Sequence, residues 1–160
     1  MIGKRIIEAL MAGTLTLTGC TSSEPPLPTQ PLATPDSAAI AAFERMFSPR
    51  DRDNGYVNCL AVDGADPSAT VLLALQTSGY TAVPASECTY AIEAPGGFHT
   101  ASGKRAIFHS VGNFAVYGST AAELEGASVV HGLDATSSLF DLVYKDGRWQ
   151  LTFVKPTGVS

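Results

Sequence analysis

Basic residues are scarce in this sequence: 10 Lys and Arg stand against 15 Asp and Glu in 160 residues, a formal net charge of −5. That balance argues against non-specific nucleic-acid binding, which depends on a basic footprint, and against polybasic membrane attachment. Catalytic signatures are missing too. There is no Gly-x-Ser-x-Gly elbow and no Cys-x-x-Cys pair. His99, His109 and His131 lack the helical His-Glu spacing of a zinc hydrolase. Gly97 to Lys104 fails as a phosphate loop, because five residues separate Gly97 from Gly103 where four are required and Arg105 follows Lys104. Asp51 and Asp53 start like a calcium loop, but Gly55 falls one place early and Val62 stands where the closing glutamate belongs. Neither a cofactor nor a metal is expected. Past the first twenty residues no apolar stretch approaches the roughly 20 residues that span a bilayer.

What is present begins at the N-terminus. Lys4 and Arg5 precede an apolar run from Ala9 to Leu17, then the small residues Thr18 and Gly19, then Cys20. This is the layout of an export signal. Leu17-Thr18-Gly19-Cys20 resembles the lipobox of bacterial lipoproteins, whose precursors are acylated on the cysteine thiol and cut just before it. The resemblance implies that residues 1–19 are removed and that Cys20 becomes a lipidated first residue, carrying palmitate-type acyl chains to a membrane. In that family an aspartate after the cysteine marks inner-membrane retention. Thr21 stands there, so the resemblance implies an outer-membrane location facing the periplasm in a source with two membranes.

Residues 20–35 form the next unit. Five of the ten prolines lie in Pro25 to Pro35, and a proline-rich segment favours extended polyproline II, a tether reaching up to roughly 45 Å. Residues 36–160 remain as a single-domain length. With the signal removed, the charge becomes 8 basic against 14 acidic.

Within that domain, Asp36 or Ser37 caps a helix whose stripe is Ile40, Phe43, Met46 and Phe47, ended by Pro49. Tyr56 to Val62 is β-rich. Asp66-Pro67 opens a second helix with Val71, Leu72 and Leu75 inward and Gly79 as its stop. Tyr80 to Glu87 reads as a loop, and Thr89 to Ala94 as a strand broken by Pro95-Gly96-Gly97. Arg105 to Val111 and Phe114 to Tyr117 read as a hairpin over Gly112-Asn113. Thr120-Ala121-Ala122-Glu123 matches a capping box and predicts a short helix to Gly126, followed by a strand from Ala127 to Leu133. The last hairpin pairs Leu139 to Tyr144 with Arg148 to Val154 over Asp146-Gly147. A two-residue turn there sets Tyr144 opposite Trp149, Leu142 opposite Leu151 and Phe140 opposite Phe153, all on one face. The fold class is α+β: an antiparallel β-sheet with two main helices packed on one face and one intradomain disulfide. The closing aromatic hairpin resembles that of cystatin-like α+β rolls over residues 139–154.

Once Cys20 is lipidated, Cys59 and Cys88 are left to each other, and an oxidising compartment favours their pairing over a redox role. His109 alternates with Ile107 and Val111, and His131 with Val129 and Leu133, so each projects from an apolar strand face. The usual reading is a satisfied, half-buried histidine; if the sheet curves round a pocket, His109, His131 and Glu93 converge on a small ligand. The expected function is therefore a lipid-anchored envelope protein of unassigned activity, a non-catalytic binding or interaction module for a protein, an envelope protein being one candidate partner, or for a small ligand. The alternative is a small-ligand pocket or enzyme inside a curved sheet. Replacing Cys20 with Ala is expected to leave a protein that no longer partitions into Triton X-114 detergent and whose mass retains residues 1–19; a detergent-phase, acylated variant would contradict the anchor.

Overall fold

The computed structural model describes residues 35–47, 55–91, 96–131 and 134–159, with His131 described through its backbone only. Asp51, Asp53, Glu93, Leu133 and the whole region before Pro35, Cys20 included, lie outside the described residues. Among the described residues no helix is long and apolar enough to cross a membrane.

Alanine shapes the first element. Helix α1 (Pro35–Met46) buries Ala38, Ala39, Ala42 and Phe43, so small side chains bring its backbone close to its neighbours while Phe43 fills the space between them. Ile40 and Met46, expected in the buried stripe, are only half-buried. β1 (Val57–Val62) follows, then α2 (Ala69–Thr77), which buries Val71 and Leu75 and leaves Leu73 exposed. Its cap is Ser68, whose Oγ accepts from the Val71 N–H at 3.3 Å. The expected cap, Asp66, is drawn elsewhere: its carboxylate accepts from the N–H of Ser86 at 3.0 Å and from its hydroxyl at 2.6 Å. Those bonds favour the charged form and hold the Asp66 carboxyl below its usual range.

The segment from Tyr80 to Glu87, expected to be a loop, contains β2 (Ala82–Pro84) and a single helical turn. Then come β3 (Cys88–Ala91), β4 (Gly96–His99), β5 (Arg105–Tyr117), β6 (Ala121–His131), β7 (Asp134–Lys145) and β8 (Arg148–Val159). Gly96 and Gly97 therefore belong to a strand. A side chain at Gly97 would run into the ring of Phe108, and this close approach is what the glycine permits.

The strand order is β2-β1-β5-β6-β7-β8, with β3 on β4 and β4 on the start of β5. The sheet is mixed, not antiparallel as expected, because β1 runs parallel to both β2 and β5. The helix α2 lies between β1 and β2 and returns the chain to the same end of the sheet, as a parallel neighbour requires. Helix α1 touches α2, β5, β6 and β8.

Two expectations about the meander fail. Gly112-Asn113 is not a hairpin turn; β5 passes through it with a bulge, and Asn113 takes φ +55°. A positive-φ dipeptide serves a bulge as well as a turn. The true turn is Gly118 to Thr120, with Gly118 at φ +68°. The capping box at Thr120 opens a strand, not a helix, since Ala121 onward pairs with β5 on one side and β7 on the other, and two ladders outweigh one local cap.

In the final hairpin Lys145 faces Arg148, Tyr144 faces Trp149 and Leu142 faces Leu151, as expected, but a bulge then inserts Thr152. Its hydroxyl donates to the Asp141 carbonyl at 3.0 Å. Phe153 consequently lies opposite Asp141 and is 57% exposed, while Val154 takes the place opposite Phe140 and packs on the core.

Two apolar clusters result. The larger joins α1, α2 and the meander through Phe43, Leu60, Leu75, Leu124, Phe140 and Trp149. The smaller holds Val57, Cys59 and Ala106, with Phe108 and Val83 against it. The Cys59–Cys88 disulfide, expected from the sequence, is present in the smaller one and ties β1 to the start of β3. Reducing it is expected to lower stability by about 3 to 4 kcal/mol through the freed 29-residue loop, seen as a fall in the urea midpoint. An unchanged midpoint would show that the loop is held by packing alone.

Candidate functional site

Strand alternation sorts the meander into two faces. Val111, Gly126 and Ser138 lie in register, and a Cβ on Gly126 would sit 3.0 Å from the Met46 sulfur, so this row meets α1. The rows on either side, Ser110–Ala127–Ser137 and Gly112–Glu125–Leu139, point the other way.

On the helix side, His109 is 4% exposed. Its ring meets Phe47 edge to face at 4.9 Å. The Asn58 amide donates from Nδ2 to the Thr81 carbonyl at 3.3 Å, which turns Oδ1 toward His109. Nε2 of His109 then donates to that oxygen at 3.2 Å, and Nδ1 is left to accept from the Ser128 hydroxyl at 2.7 Å. Burial without a charged neighbour pushes the imidazole down from 6.5 to about 4.

Ser, His and Asn in line have the composition of a hydrolytic triad, but the roles do not fit. The serine faces Nδ1, the imidazole is a weak base, and Phe47 covers the ring. This is a buried pin joining β1, β5 and β6.

Of the sequence-derived pocket residues, only His109 has a described side chain. Glu93 lies outside the described residues. His131 closes β6 with its backbone paired to Asp134; it sits three residues beyond Ser128, about 10 Å along the strand. The partners that the sequence reading missed are Asn58 and Ser128. A lone Asn inside the apolar run Val57 to Val62 was the available signal, since a buried amide requires a polar partner.

On the other face lies a cleft of about 800 Å³, lined by Asp63, Ser110, Asn113, Glu125, Ser137 and Thr157 among others. The β5 bulge builds one wall. Asn113 donates its backbone N–H to Asp63 Oδ1 at 3.0 Å and its side-chain amide to Glu125 Oε2 at 2.7 Å, and Asp63 returns its own N–H to the Val111 carbonyl at 2.8 Å. A Cβ at Gly112 would lie 2.9 Å from Asp63 Oδ1, so only glycine lets the carboxylate settle over the strand. On the opposite wall Thr157 donates to the Ser137 hydroxyl at 3.0 Å. The lining thus offers hydroxyls and two carboxylates, suited to hydrogen-bond donors and cations, not to anions. Among the described residues no three His, Cys, Asp or Glu side chains come together as a metal site.

Compared with known proteins, the chain matches no family model, no curated protein and no solved structure.

The His109 pin is expected to impose a pH dependence on stability. The folded state holds the imidazole neutral down to about pH 4, whereas the unfolded chain protonates it near 6.5. Stability is therefore unaffected by this group above pH 6.5 and falls by about 3 kcal/mol as pH drops from 6.5 to 4. Urea unfolding of His109→Gln across that range is expected to show a shallower loss than the parent; parallel slopes would contradict a neutral buried imidazole.

Proposed function

We propose that this chain is a lipid-anchored envelope protein whose domain is a non-catalytic binding module, with both helices on one face of the sheet and the other face offered to a protein partner. The observation that carries the reading is the make-up of the open face. Asp63 and Glu125 bring two carboxylates to its cleft, and the next row, Ala115–Glu123–Asp141–Phe153, adds two more. Tyr117 and Phe153 stand there, each 57% exposed, and Tyr117 donates to Glu123 at 3.4 Å. Exposed aromatic rings beside hydrogen-bonding groups are the usual anchors of a protein interface. The lipobox resemblance and the proline-rich tether supply the attachment, at a reach that lets the face turn toward a neighbour. His109 supports the non-catalytic side of the reading, because both of its ring nitrogens are engaged in bonds internal to the fold.

A small polar ligand is the second reading, favoured by a cleft volume in the range of small-molecule sites. Photo-crosslinking in intact cells separates the two. A crosslinker at Phe153 or Ser137 is expected to capture one stoichiometric partner, and one at the exposed Leu73 on α2 is not. Equal capture from all three positions, or none from any, would remove the open face as the interaction surface.

A further inference from the structure

The open face carries two like-charge pairs of opposite sign. Glu123 lies directly opposite Asp141, and Lys145 directly opposite Arg148. Alternation places all four on the side away from the helices, since Leu124, Phe140, Leu142 and Trp149 fill the core on the other side. Like charges facing each other across a ladder cost free energy within one chain. Among the described residues neither Lys145 nor Arg148 has an ion-pair partner. Four residues of β7 separate the two pairs, about 13 Å. Midway between them runs the uncharged row Tyr117–Ala121–Val143–Gln150. A pattern of positive, neutral and negative along the strands is complementary to its own reverse.

We propose that this face packs against the same face of a second copy of the chain, about a two-fold axis that lies across the strands along the uncharged row. The inference rests on the reading of the open face as a protein interface and names the partner. Such an axis runs the strands of one copy antiparallel to those of the other, in two aligned sheets stacked about 10 Å apart. Lys145 of one copy then comes over Asp141 of the other, and Arg148 over Phe153, whose exposed ring suits a guanidinium. One step further out, the turn at Asp146 comes over Lys155, which sits opposite Leu139. Tyr117, equally exposed, meets its own counterpart near the axis. Each charged contact occurs twice. An axis along the strands would instead stack each pair on its own kind, so the charges also select the orientation.

Sedimentation equilibrium of the full chain in a nonionic detergent is expected to show a concentration-dependent dimer. Asp141→Lys and Lys145→Asp are each expected to weaken it about tenfold, since each reverses a surface ion pair that the axis uses twice. Each also relieves a like-charge pair within its own chain, so neither is expected to lower the urea midpoint. Combining the two exchanges the signs and is expected to restore the dimer. A monomer at every concentration, or a double variant no tighter than the single ones, would overturn the inference. The photo-crosslinker at Phe153 tells that failure from failure of the interface reading. A crosslinked dimer of this chain supports both; a different protein overturns self-association and leaves the open face an interface; no product removes both.

Discussion

The parallel pairing of β1 with β5 is the constraint on which the rest depends. β1 lies between β2 and β5, and both of its faces are covered. Asn58 turns toward His109 and Leu60 into the larger apolar cluster, while Val57 and Cys59 turn toward the disulfide and Phe108. A strand buried on both sides carries an apolar run with no alternation, which is how Val57 to Val62 reads apart from Asn58. The amide is held by the buried imidazole of His109, and that pair fixes β1 against β5 in one register, with Leu60 beside His109. A slip of one residue would send Asn58 to the disulfide side and leave the imidazole facing apolar atoms.

The same register positions both surfaces of interest. Because β1 ends at Val62 beside Val111, Asp63 arrives over Gly112 and supplies the carboxylate that caps the β5 bulge and edges the cleft. At the far side of the sheet the Thr152 bulge turns Phe153 outward and Val154 inward. Three inserted residues, one in β5 and two in β8 at Thr152 and Thr157, thus help decide which side chains the open face displays. Bulges near sites commonly re-aim side chains in this way.

How much of this was legible in the sequence follows from where each signal acts. Periodicity located both helices, β1 and the final hairpin, and Asp146-Gly147 set the first four cross-strand pairs of that hairpin correctly, because turn chemistry and alternation are local. The disulfide followed from the cysteine count once Cys20 was set aside. The bulges were not legible: Gly112-Asn113 carries the same residues as a tight turn, and nothing in Gln150-Leu151-Thr152-Phe153 marks an extra residue. β2 is three residues long and contains proline, so only its parallel neighbour identifies it. At the candidate site, His109 was visible as an imidazole on an apolar face, but Asn58 lies 51 residues away and becomes its partner only through the crossover that brings β1 alongside β5.

That crossover also bears on the order in which the chain assembles. β5 to β8 are joined by tight connections, so their pairings close small loops, whereas Val57 must find Ala106 across 49 residues. Contacts between distant parts of a chain form late, because loop-closure entropy is lost before they reward it. The meander is thus expected to form ahead of β1, leaving one long edge of β5 open during that interval. An unpaired edge is a template for another chain, and the docking of β1 removes it. The Cys59–Cys88 bond then does more than add stability to the finished domain: formed early, it shortens the search by which β1 reaches that edge.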